Sequence, residues 1–569
     1  MKRFFRLCLT IIVSGILFSS CSKSNDEGKM IPKNAMFVAL LNTKSLSEKV
    51  TWDDVKQTSW YKQMYADTAT KDWMKKLLDN PENSGIDSKA SIIFFVKKGG
   101  GDDYDIVFEG QLKNEKDFEQ FNKNLDPAST AKKDGDINML TMKENSVVGW
   151  NDKHFAYVTN SNSIKSKYAA DWDTMNNQSN MSHAVDNNTL LSALCKSLFS
   201  LKSDSSLAKN EKFSKLLSEK GDIHAWVNTE EMIKNNSAMG MLGMLKLDIF
   251  FKDNISTYTV DFDNGKIKVN QRAYAGKEFT DFLKKYKGGN INTNMIGNIP
   301  SQNVIGVFAM NYKPEGLKEL IKLTGMDGFI NMYAGQMGFN LDDFVKATNG
   351  DLMVAFSDLK MKSDSLNYKD GSGNTSNSNV YSKPDVSYLF SVGIGDKQSF
   401  QKLIDAGKKI GNAMGGKDDL ASFNMNDKTF AIGNTQPTVT QYLAGSKNKF
   451  AFTDKLSGHT IGLFIDVQKI LSVLNNESLI KDADAKTIMA ASMKTWNNVY
   501  FTGGEMDNDA MTGNTEINFV DQSTNSLKQL NHYFDEIAKV MLAKKEREKS
   551  QWNVPDSLMI PPPIDTVGH

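Results

Sequence analysis

Ile31-Pro32-Lys-Asn-Ala-Met-Phe37-Val-Ala-Leu-Leu-Asn42 returns later in the chain as Ile299-Pro300-Ser-Gln-Asn-Val-Ile305-Gly-Val-Phe-Ala-Met-Asn311. In both stretches a proline turn leads into an apolar run that closes at asparagine. Helix-opening residues follow, Lys44-Ser-Leu46 in the first and Lys313-Pro-Glu-Gly-Leu317 in the second. A long pattern that recurs in order is the mark of an internal duplication, and it governs how the rest of the chain is read.

The parallels continue outward. Ser91 to Val96 and Tyr104 to Phe108 are strands flanking a polar loop, matched by Asp351 to Phe356 and Val386 to Phe390 around a longer one. Lys116 to Phe121 matches Lys397 to Leu403 as a helix. Asn151-Asp-Lys-His-Phe155 matches Asn426-Asp-Lys-Thr-Phe430, where Asn-Asp marks a hairpin turn. Asp222 to Asn228 matches His459 to Asp466, each a strand before a helix. Each copy then ends in a hairpin and a helix: Tyr258 to Val269 before Glu278 to Tyr286, and Val499 to Phe519 before Ser526 to Lys545. These matches predict two tandem homologous domains over 31–288 and 289–548, each a mixed or antiparallel sheet with packed helices, an α+β class. Regular strand-helix-strand alternation is missing, which disfavours Rossmann and TIM architectures. The copies differ in extra helical sequence from Asn160 to Lys220 and in the Ser-, Asn- and Gly-rich stretch Met361 to Asp385. That stretch is expected to be a mobile loop, and 549–569, with Pro561-Pro-Pro563, a disordered tail.

Composition removes several functions. Lys plus Arg and Asp plus Glu are 68 each, so no net field recruits nucleic acid. Only Arg3, Arg6, Arg272 and Arg547 are arginines, a poor endowment for bidentate phosphate binding, so neither a nucleic acid nor a nucleotide partner is expected. Three cysteines, Cys8, Cys21 and Cys195, leave no disulfide framework. Cys195 shares a helical face with Leu191, Leu194 and Leu198 and is expected to be a small buried hydrophobe.

The N-terminus carries an address. Lys2, Arg3 and Arg6 precede the apolar stretch Leu7 to Phe18, then Ser19-Ser20-Cys21. A secretory leader has this layout, and the run is shorter than the roughly 20 residues a spanning helix needs. Residues 1–20 are therefore expected to be a lipoprotein signal peptide. The small residues before Cys21 resemble a bacterial lipobox, which implies a mature chain anchored to a membrane by acyl chains on Cys21, with 21–30 as a tether.

No catalytic signature is present. HExxH, GxSxG and GxxxxGK[ST] are absent, and the Ser-x-x-Lys matches, among them Ser59, Ser129, Ser206, Ser357, Ser399 and Ser446, lack a KTG companion. Asp261-Phe-Asp263-Asn-Gly265 lacks the further ligands and closing glutamate of a calcium loop, whereas Asn264-Gly265 is a strong hairpin signal. The six histidines show no metal-ligand spacing, and His224 is expected to be a packed strand histidine. No cofactor or metal is predicted. Six of eight tryptophans fall in the first copy, and Trp52, Trp60, Tyr61, Tyr65 and Trp73 gather in one helical region. They form either a surface platform for a sugar ring or a partner protein, or the buried faces of helices on the sheet.

The lipobox, the Ile-Pro-x-x-Ala start at Ile31 to Ala35 and the duplicated strand-helix pattern together resemble a family of uncharacterised Bacteroidota-type lipoproteins, domain of unknown function 4836. The resemblance implies a lipid-anchored protein of the cell envelope, at the outer membrane, with no active-site residues to carry over. The expected function is a non-catalytic scaffold that binds an envelope protein; glycan or small-ligand binding is the alternative, and a hydrolase with a non-standard site ranks below both.

Overall fold

A computed structural model describes residues 27–552 apart from 68–69, 101–102, 143–144, 162–186, 235–245, 370–374, 414–421, 476–479 and 481. The leader, Cys21 and residues 553–569 lie outside the described residues.

The first run of strands comprises β1 (Ala35–Leu41), β2 (Ile92–Lys98), β3 (Tyr104–Gln111), β4 (Lys132–Asp134), β5 (Ile137–Met142), β6 (Ser146–Trp150), β7 (His154–Asn160), β8 (Ile223–Asn228), β9 (Ile255–Asp263) and β10 (Lys266–Tyr274). Their antiparallel pairing gives the spatial order β4-β5-β6-β7-β3-β2-β1-β8-β9-β10. The second run is β11 (Val304–Asn311), β12 (Thr348–Lys369), β13 (Thr375–Ile394), β14 (Ser422–Met425), β15 (Thr429–Gly433), β16 (Ile461–Asp466), β17 (Trp496–Asp507) and β18 (Ala510–Phe519). Its order, β14-β15-β13-β12-β11-β16-β17-β18, is the same plan with a shorter outer end.

Details recur with the order. The amide of Asn42 donates to the Asp222 carbonyl, and that of Asn311 to the Thr460 carbonyl, both at 2.9 Å. Asn151 Oδ1 accepts from the amides of Lys153 and His154, and Asn426 Oδ1 from those of Lys428 and Thr429. These Asx turns fold the chain back with the same side chain in the same place.

The runs do not close as two sheets. β10 pairs antiparallel with β18, from Lys266 opposite Asn518 to Tyr274 opposite Ala510, so one antiparallel sheet passes through both. Asp263 faces Lys266 across the first hairpin and Asp507 faces Ala510 across the second, which makes Asn270 and Asn514 equivalent by position. Asn270 lies directly opposite Asn514 at this seam. A pseudo-twofold axis therefore passes between them. At the first hairpin, Gly265 adopts the left-handed conformation (φ 67°) that Asn-Gly predicts, and a Cβ there would meet Gln522 Cα at 2.4 Å.

Helices cover both sides. On one face, Val38, Leu40 and Trp226 pack beneath the helices Asn187–Phe199 and Glu211–Ser218. Cys195 is fully buried there, its thiol donating to the Ala156 carbonyl at 3.9 Å, and burial pushes its pKa up to about 12. On the opposite face the helix Ser526–Trp552 runs from the second half back over the first, with Leu527 packed among Trp52, Val55 and Tyr61. Asp535 accepts from the amide of Ser59 at 2.5 Å, and so serves the open first turn of helix Ser59–Ala66, whose own Thr58 makes no side-chain cap.

Two expectations need correction. Residues 361–369 and 375–385 are not a loop: β12 and β13 extend through them as a ribbon, with Lys360 opposite Asp385 and Lys369 opposite Thr375, while 370–374 lie outside the described residues. Their composition does not build a core, but backbone pairing and cross-strand ion pairs such as Lys383–Asp364 suffice for a two-stranded extension. The last helix continues to Trp552, past the predicted start of the tail at 549, because its charged end is still helix-favouring sequence.

The fold predicts two responses. A Cβ on Gly149 would sit 2.5 Å from Cys195 Sγ, so Gly149→Ala lowers stability by about 1–3 kcal/mol in urea unfolding, and Cys195→Ala in the same chain recovers part of that loss. Glu109, on β3, is buried without a partner for Oε2, and burial raises its pKa to about 8. A carboxyl raised above its unfolded value carries no penalty at acid pH and a growing one as pH rises from roughly 4.5 to 8. Glu109→Gln is therefore expected to stabilise the fold by roughly 3–5 kcal/mol more at pH 8.5 than at pH 4.5, read from paired unfolding curves.

Candidate functional site

Strand alternation gives the seam two characters. Phe262, Ile267 and Phe519 point to the face covered by Leu527 and Leu530 of the last helix. The other face carries a row across four strands in register: Thr259 opposite Asn270, Asn270 opposite Asn514, and Asn514 opposite Thr502. Asn514 Nδ2 donates to Asn270 Oδ1 at 2.7 Å, and Asn270 Nδ2 to Thr259 Oγ1 at 3.3 Å. The row forms the floor of an open cleft of about 480 Å³ to which both halves contribute.

The rim comes from segments that leave helices. Glu219 and Lys220 follow helix Glu211–Ser218, and His459 follows helix Thr453–Leu456. Arg272 on β10 donates through Nε to Glu219 (2.7 Å) and through Nη1 to Asp507 on β17, tying the halves together. Burial disfavours the guanidinium charge, but these two carboxylates outweigh it and raise the pKa of Arg272; the same contact holds the Asp507 carboxyl below its usual value. On the other wall a bulge between Gly503 and Glu505, with Gly504 at φ 92°, re-aims Glu505. Its carboxylate meets His459 Nδ1 at 3.0 Å and accepts from the amide of Thr460 at 3.3 Å.

The arrangement is suited to recognition. The floor offers amides and hydroxyls, which both donate and accept, and the walls offer carboxylates that are already hydrogen-bonded. Glu219 and Glu505 are the two carboxylates of the cleft, and each is already engaged by a basic side chain. Among the described residues that line it there is no Trp, Tyr or Phe.

The predicted site residues lie elsewhere. Cys21 is outside the described residues. Trp52 and Tyr61 are in the core, and both donate to the Leu78 carbonyl, at 2.9 and 2.8 Å. Trp60 is partly buried in the same cluster, and Trp73 belongs to another, packed on Phe121. The surface-platform expectation fails for Trp52 and Tyr61 because the last helix closes over the region through Leu527, a contact from the far end of the chain. His224 is packed as expected, with Nε2 2.9 Å from the Glu219 carbonyl, and Asn264-Gly265 is a hairpin turn. The cleft itself escaped the sequence reading. Its signals were present in the scarce Arg272 and in the alignment of the two final hairpins, which sets Asn270 beside Asn514.

A family described as Domain of unknown function (DUF4836) matches residues 28–383. No curated protein matches the chain, and no solved structure does.

Arg272→Met removes the bond to Asp507 across the seam, leaving Glu219 without its cation and Asp507 with only Lys215, 3.8 Å away. A loss of about 1–3 kcal/mol is expected in chemical unfolding, with Asp507→Asn partly offsetting it in the double variant.

Proposed function

The chain belongs to that family of unknown function, the match covering more than half of its length, and from this premise we propose that it is a non-catalytic binding protein of the bacterial cell envelope. Its two homologous domains act as one scaffold, and the seam cleft receives a polar segment of a partner protein. The tether is Cys21, acylated after removal of residues 1–20 and seated in the outer membrane. Among the described residues no helix is long and apolar enough to cross a membrane, so attachment through lipid is consistent with this body.

The observation that carries the reading is the composition of the cleft: amides, hydroxyls and already bonded carboxylates contributed by both halves, with no Trp, Tyr or Phe ring among the lining residues on which a sugar could stack. Peptide backbone and polar side chains are the groups such a floor can satisfy. The glycan alternative loses its platform with the burial of Trp52 and Tyr61. The duplication is supported by the recurring strand order and by the matched hydrogen bonds of Asn42 and Asn311.

The test is a photo-crosslinking amino acid placed at Lys220, exposed on the rim of the cleft, or at Lys362 on the outer ribbon, in intact cells. One envelope protein captured from Lys220 and not from Lys362 supports the reading; capture from neither, or equally from both, overturns it. In the same cells Cys21→Ser is expected to move the protein out of the membrane fraction.

A further inference from the structure

A second cavity, of about 190 Å³, lies in the first half between the sheet and the end of helix Asn187–Phe199, far smaller than the 300–1,000 Å³ of a drug-sized pocket. Ile93, Leu198 and Phe199 give it an apolar wall. Gln111 and Ser91 add polar groups, and Glu109 reaches it from β3. Glu109 is 4% exposed, and its Oε2 is shielded from solvent with no partner among the described residues.

The fold does not require an acid at this place. Ile93 lies opposite Glu109 as Met353 lies opposite Ser391, and Ala156 opposite Glu109 as Ala431 opposite Ser391. In the second half the same position is therefore Ser391, buried and satisfied by donating to the Phe430 carbonyl at 3.2 Å. An unpaired buried carboxyl is among the costliest groups a core can hold, and a ligand that pairs with it recovers that cost. The charged or titratable groups facing the cavity are Glu27 and Lys29 from the N-terminal segment and His154 from β7; the helix contributes only hydrocarbon. Glu27 is bonded by Ser91 Oγ at 2.7 Å.

We propose that this cavity binds a small organic cation, a primary alkyl- or arylammonium ion, with its ammonium group on Glu109 and its hydrocarbon against Ile93, Leu198 and Phe199. A metal ion is the poorer fit, because among the described residues no cluster of three or more His, Cys, Asp or Glu surrounds the site. The proton balance is explicit. At neutral pH burial keeps the Glu109 carboxyl protonated; the incoming ammonium favours the carboxylate, and one proton passes to solvent. The site is separate from the seam cleft and does not depend on its function.

The experiment is calorimetry of the full chain with benzylammonium and with its neutral counterpart benzyl alcohol, in two buffers of different ionisation enthalpy. The expected result is saturable benzylammonium binding that releases a proton, with affinity rising roughly tenfold per pH unit between about pH 6 and 8. Benzyl alcohol is expected to bind at least roughly tenfold more weakly. Glu109→Gln and Glu109→Ser, the latter matching the second half, should each lose benzylammonium binding by roughly tenfold or more while keeping the fold. Leu198→Trp, which fills the cavity and leaves Glu109 in place, should lose it too. Absence of saturable binding below about 10 mM, equal binding of benzyl alcohol, or unchanged binding in either Glu109 variant overturns the proposal.

Discussion

The pairing of β10 with β18 is the constraint on which the rest of the molecule depends. Because side chains alternate with a period of two, a slip of one residue would turn Asn270 toward the last helix and Ile267 toward water. The observed register sets equivalent residues of the two halves opposite each other, Asn270 against Asn514, and so lets one sheet serve both. Everything near the seam follows that choice: the apolar cluster beneath it, the polar row above it and the Arg272 bridge beside it.

The same register explains why the last helix lies where it does. A continuous sheet brings the start of the first half next to the end of the second, so Ser526–Trp552 finds its apolar partners in Trp52, Val55 and Tyr61 as well as in Phe262 and Phe519. Asp535 then meets an uncapped helix start that no nearby residue serves. Buried Asp222 plays the comparable role inside the first half, accepting from Ser45, Lys49 and the amide of Phe262. Hydrogen bonds of this kind contribute individually on the order of 1 kcal/mol, more when charged, and they hold elements that the apolar contacts have already brought together.

Much of the strand and helix plan was legible in the sequence, because local signals carried it: apolar runs closed by Asn42 and Asn311, Asn-Asp turns at 151 and 426, and the Asn-Gly turn at 264. Cys195 and His224 were readable for the same reason, each sitting in a clear helical or strand pattern. What the sequence withheld was long-range. Nothing in the neighbourhood of Trp52 announces Leu527, so burial of the aromatics was visible only as one of two choices. The ribbon of β12 and β13 was hidden because backbone pairing needs no apolar pattern. The cleft was hidden because its floor joins residues that only the seam brings together.

The seam also sets a problem of timing. Residues 270 and 514 face each other across 514 − 270 = 244 positions of chain. At a synthesis rate of roughly 5–20 residues per second, the second strand emerges about 12–50 s after the first. For that interval β10 is a bare sheet edge, the kind of surface on which nascent chains pair wrongly. Its sequence is Lys266-Ile-Lys268-Val-Asn-Gln-Arg272, with a cation at every second place apart from Asn270. Those charges disfavour pairing with a second copy of the same edge, whereas β18 arrives with Glu516, which pairs with Lys266 at 3.3 Å. An edge with this charge pattern is suited to wait for one neighbour, because β18 brings the carboxylate that Lys266 accommodates and a second copy of β10 does not.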